Sequence, residues 1–128
     1  MRTVLFSTAL LVAGLAAALG GAGQAAAGVP VAQPDQGRVG WTLSHEETAA
    51  LADGPVPALV TKVVPQSRMG AGLHPETGLY RDDNGNIHAS LRQVIMEAAA
   101  HPDGTVTFFV NAPGTRGFRV LDIYQRWN

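Results

Sequence analysis

The sequence predicts a small single α+β domain, with two or three helices packed on a short antiparallel sheet that ends in a C-terminal β-hairpin. Three observations lead there. Leu91, Val94, Ile95, Ala98 and Ala99 recur at i, i+3, i+4, i+7 and i+8, the stripe of one helical face. Val106, Phe108 and Val110 alternate with smaller or polar positions, as a half-buried strand does. Helical patterns come first and the paired strands last, which is the order of an α+β chain and not of an alternating α/β one.

The amino terminus is an address and not part of that domain. Arg2 is followed by an uncharged apolar stretch, residues 4–19, and then by small residues ending in Ala25-Ala26-Ala27. A basic start, a short greasy stretch and small residues at the −3 and −1 positions are the parts of a cleavable secretory signal peptide, with the cut after Ala27. The stretch falls short of the roughly 20 residues a helix needs to cross a bilayer, so no stable membrane anchor is expected after cleavage. The protein is therefore expected to be secreted or extracytoplasmic. The scarcity of Lys beside abundant Ala and Gly goes with a bacterial source.

Residues 28–37 hold Pro30 and Pro34 and little apolar surface, and are expected to form a flexible N-terminal arm. The domain proper is placed at 38–128. It opens with a short strand at 38–43. Ser44 and Glu47 have the S-x-x-E form of a capping box, which starts a helix over 45–52; Asp53-Gly54-Pro55 stops it. A second helix is expected over 57–64, where Val56, Leu59, Val60, Val63 and Val64 repeat the helical stripe. Residues 65–86 change character, being rich in Gly and Pro with a few large anchors, and form a long loop crossed by a short strand at 79–81. Asp82-Asp83-Asn84-Gly85 is a tight turn. Ser90 and Gln93 cap the third helix, and His101-Pro102-Asp103-Gly104 ends it. Strands at 105–110 and 118–124 then make the hairpin, with a bulge near Val120. The expected core sets the Val94/Ile95 and Leu59/Val63 stripes against one face of the sheet.

Charge and composition narrow the function. Without residues 1–27 the chain has eight bases against ten acids, which argues against nucleic acid as a partner. The absence of Cys removes thiol nucleophiles, thiolate metal ligands and disulfides. No cofactor motif is present.

The candidate chemistry is thin. Asp82, Asn84 and Asn86 have the look of a calcium loop, but with Gly85 at the sharp-turn position the twelfth position falls on Leu91, where a bidentate Glu belongs. The four histidines lack metal-site spacing. No serine sits in a nucleophile elbow. An enzyme is thus disfavoured, and a small hydrolase using His and carboxylate residues ranks second. The preferred expectation is a non-enzymatic binding module that presents the 65–86 loop to another protein or a cell-envelope component. Arg68, Met69, His74 and Tyr80 in that loop, with Arg116 at the hairpin tip, are its candidate contacts. The sequence also admits a protease inhibitor presenting Arg68, or an envelope-acting amphipathic protein.

Overall fold

The computed structural model describes residues 28–128. The signal-peptide reading of 1–27 lies outside the described residues. The α+β class holds: three α-helices pack on a five-stranded sheet, and β4–β5 is the C-terminal hairpin. The strands are β1 (Val29–Gln33), β2 (Arg38–Thr42), β3 (Met69–Gly72), β4 (Thr105–Asn111) and β5 (Leu121–Arg126). They lie side by side in the order β1-β2-β4-β5-β3. The sheet is mixed, because β3 runs parallel to β5 while every other neighbouring pair is antiparallel.

Helices α1 (His45–Asp53) and α3 (Leu91–Ala99) start where the capping boxes place them. The Ser44 Oγ accepts the Glu47 N–H and Glu47 Oε1 accepts the Ser44 N–H; Ser90 and Gln93 do the same for α3. Both helices lie against the same face of the sheet, with Leu51 and Ala52 from α1 and Leu91, Val94, Ile95 and Ala98 from α3 buried against Val106, Phe108, Val110, Leu121 and Ile123. This is the core the alternation in β4 predicts.

Several expectations need correction, the first being the wholly antiparallel sheet, since β3 joins β5 in parallel. Residues 28–37 are not a flexible arm: β1 pairs along the whole of β2, from Val29 opposite Thr42 to Gln33 opposite Arg38. Pro30 is compatible with that place, because an edge strand has outward positions where no N–H is needed, and Pro34 opens the 3-10 turn that follows. The loop 65–86 is not a continuous loop: it contains a 3-10 turn at Gln66–Arg68 and then β3, and the strand expected at 79–81 is a single bridge between Arg81 and Ile87. The stripe on α2 (Val56–Val63) does not set Leu59 and Val63 against the sheet. The stripe splits: Val64 is buried in the core and Val56 and Val60 pack against it, whereas Leu59 and Val63 are exposed, because α2 leans chiefly on α3 and α1. The second hairpin strand also begins later than expected, at Leu121, leaving Phe118 exposed in the connection. Among the described residues no helix is long and apolar enough to cross a membrane.

Candidate functional site

The edge formed by β3 is open. Asn111 N–H donates to Val120 O, so β5 turns the peptide groups of its even-numbered residues towards β4 and those of its odd-numbered residues towards β3. The parallel register then uses the peptide groups of Gly70 and Gly72 for β5 and leaves those of Ala71 pointing outward. Among the described residues, no backbone partner meets Ala71 on that side. The sequence there, Met69-Gly70-Ala71-Gly72, has no charge and no proline to discourage pairing, in contrast to Pro30 on the opposite edge strand.

A cleft of about 480 Å³ runs beside this edge. Met69, Gly70 and Ala71 line one wall, Arg81 and residues 85–87 the other, and Leu91, Val94 and Ile123 are its apolar floor. The Gln66 Nε2 reaches Ala89 O at 3.4 Å from one wall to the other. Arg81 and Arg119 both line the cleft, and both are exposed. The opposite wall is a built turn: Asp82 Oδ1 accepts the N–H groups of Asn84 and Asn86, and Asp82 Oδ2 accepts from His88 Nε2 at 2.9 Å. The His88 hydrogen bond, with the N–H of Asn86 next in weight, holds the Asp82 carboxyl below its ordinary value. That carboxylate is engaged in holding the turn. Among the described residues no three His, Asp or Glu side chains converge as a metal site.

The candidate contacts fall in different places. Met69 is half-buried and lines the cleft, whereas Arg68 is exposed in the turn before it and is not part of the lining. Arg68 ends a 3-10 turn, and its carbonyl accepts the Val120 N–H at 2.8 Å, which ties the turn to the start of β5. Tyr80 is exposed and tilted against His88, with ring centroids 5.3 Å apart. Arg116 is at the hairpin tip, where it bonds Gln36.

His74 is an internal element. Its ring stacks on Trp127 at 4.0 Å, and His101 stacks on the other face of the same indole at 4.1 Å. His74 Nδ1 accepts the Glu76 N–H and Nε2 lies 2.8 Å from Trp127 O, so the two bonds together select the neutral tautomer with the proton on Nε2.

Sequence reasoning passed over Arg81 and Arg119, and also Arg38 and Asp122 on the far face of the sheet. Asp122 is buried beneath two arginines, 3.7 Å from Arg38 Nη1 and 3.8 Å from Arg119 Nε. The sequence carries no signal for this, because Asp122 alternates with the core-facing Leu121 and Ile123 and so reads as an outward, solvent-facing position. Comparison with protein-family models, with curated proteins and with solved structures finds no match to this chain.

Proposed function

We propose that the protein is a small exported binding module, non-enzymatic, that takes an extended acidic peptide segment along the outer edge of β3. The observation that carries this reading is the open, uncharged edge beside a cleft with an apolar floor and two arginines. Strand addition supplies main-chain hydrogen bonds, and alternate side chains of the added strand reach the cleft. Gly70, Ala71 and Gly72 are small enough to let another backbone approach. Arg81 and Arg119 line the cleft as cations that a carboxylate can meet, while the Asp82 carboxylate on the same wall is taken up by its own turn.

Export with removal of 1–27 belongs to the same reading. In its support, a chain starting at Gly28 keeps β1 entire. The Gly28 nitrogen, 2.9 Å from Glu47 Oε2, would become an ammonium facing a carboxylate. Intact-mass measurement of the native extracellular protein should find Gly28 first.

Binding is tested with a five-residue peptide of alternating Glu and Val, its Lys counterpart and an N-methylated Glu version. The acidic peptide should bind, weaken with added salt, and slow hydrogen exchange at Ala71. Ala71→Pro, which deletes the outward N–H at an edge position, should abolish binding while the protein stays folded. Equal binding of the acidic and basic peptides, or of the N-methylated form, refutes the reading.

A further inference from the structure

We propose that the uncovered face of the sheet holds a second site, built on Arg38, for a small carboxylate attached to a flat apolar body. This face is the one the helices leave free, and it is shaped by glycines. A Cβ at Gly72 would come 2.3 Å from the Tyr124 ring, and one at Gly70 would come 2.3 Å from Asp122 Oδ1. The missing side chains let Tyr124 lie down across β3 and let Asp122 sit under the arginines.

Arg38 is held rigidly in this setting. Its side chain is 9% exposed. Nε donates to Gln33 Oε1 at 2.7 Å, Nη1 donates to Tyr124 Oη at 2.7 Å, and the guanidinium carbon lies 4.1 Å from the centre of the Phe109 ring. Nη2 has no partner among the described residues. A guanidinium fixed on three sides with one nitrogen unused is a preorganised anion donor, since little entropy is lost when it binds. The charge is not cancelled locally: Asp122 is shared between Arg38 and Arg119, which leaves one positive charge in excess.

The shape beside Arg38 sets the rest of the ligand. A shallow dish of about 260 Å³ is lined by Val31, Thr42, Thr107, Phe109, Tyr124 and Arg38 itself. Its floor is the edge-on pair of Phe109 and Tyr124, at 5.8 Å and 83°. Tyr124 Oη accepts from Arg38, so its own proton is free to donate. The Thr42 and Thr107 hydroxyls bond each other at 2.9 Å, which leaves one proton of that pair available. Donors around an apolar dish with a single arginine suit a planar monoanion better than a doubly charged phosphate.

The test is a titration of the protein with benzoate, benzamide and inorganic phosphate, followed by backbone and side-chain NMR shifts. Benzoate should perturb Arg38, Thr42, Thr107 and Tyr124 and bind at least about tenfold more tightly than benzamide or phosphate. Arg38→Lys keeps the charge but loses the fork and the stacking, and should weaken benzoate by about tenfold. Should that variant fail to fold over Asp122, Thr107→Phe fills the dish without touching Arg38 and should block benzoate to a similar degree. Equal affinity for benzoate and benzamide, benzoate binding that survives Thr107→Phe, or a sedimentation-detected dimer that covers this face would overturn the proposal.

Discussion

At the scale of single residues, the outer sheet face shows how a side chain that is absent decides where others stand. Tyr124 occupies the space over Gly72, and from there its hydroxyl accepts from Arg38 and its ring meets Phe109 edge-on. Gly72→Ala therefore has to displace an aromatic ring and, through it, the Arg38 hydrogen bond. Overpacking of this kind typically costs about 1–3 kcal/mol, and thermal denaturation with near-ultraviolet circular dichroism should show a lower midpoint and an altered tyrosine signal. An unchanged midpoint would mean that the ring has a second resting place. None of this is legible in the sequence, because the partners Arg38 and Tyr124 are 86 residues apart and only the sheet register brings them together. His74 illustrates the same limit. It stands in a segment whose composition suggests exposure, yet its role is set by Trp127, 53 residues downstream. Arg68 and Met69 are legible as candidates because their segment and residue types point to a surface; Met69 lines the cleft, and Arg68 is exposed beside it in the chain.

At the scale of elements, local signals are legible and the choice of partners is not. Both capping boxes form as written, since a serine and an acceptor three residues on need nothing beyond their own turn. The α2 and α3 stripes have the same spacing but different outcomes, since only part of the α2 stripe reaches the core. Periodicity defines a face; it does not say what that face meets. In α3 the stripe lies on the sheet and Ile95 is fully buried, whereas in α2 Leu59 stands 52% exposed. Ile95→Ala should thus cost about 2–5 kcal/mol, as a large-to-small change in a filled core does. Leu59→Ala should stay within about 0.5 kcal/mol, as substitutions on open surface do. Chemical denaturation of the two variants separates them. Similar losses would place α2 against a surface not present in the folded monomer. The edge strands escape a sequence reading for a related reason. β1 and β3 are short, carry Pro or Gly, and are strands only because a neighbour offers them a ladder.

At the scale of the whole molecule, one carboxylate joins segments that the chain order keeps apart. Glu97 on α3 accepts from the Thr77 hydroxyl, from the Gly78 N–H at 2.7 Å and from Gln125 Nε2 at 2.8 Å on β5. Gln125 in turn accepts the His74 N–H at 3.0 Å. The segment leaving β3 is thereby fastened to the helix and to the hairpin before it continues to the Arg81 wall of the cleft. Partial burial pushes the Glu97 carboxyl up, but the hydrogen bonds from Thr77, Gln125 and Gly78 together outweigh it and hold the group below its ordinary value of 4.5. A carboxyl lowered in the folded state stabilises the fold above its unfolded value, and that contribution is lost as pH falls through the lower, folded value. Stability should hence decline on acidification below about pH 4.5, with Asp82 and Asp103, also lowered, adding to the same limb. Glu97→Gln isolates one share of that decline. At neutral pH it should cost about 1–3 kcal/mol, because hydrogen bonds to a charged acceptor become weaker or unmade. In acid, where the native carboxyl is itself protonated, the two proteins should approach the same stability. Urea denaturation of both from neutral pH into the acid range reads the difference directly. Curves that stay parallel throughout would show that the segment is fastened by something other than the Glu97 charge.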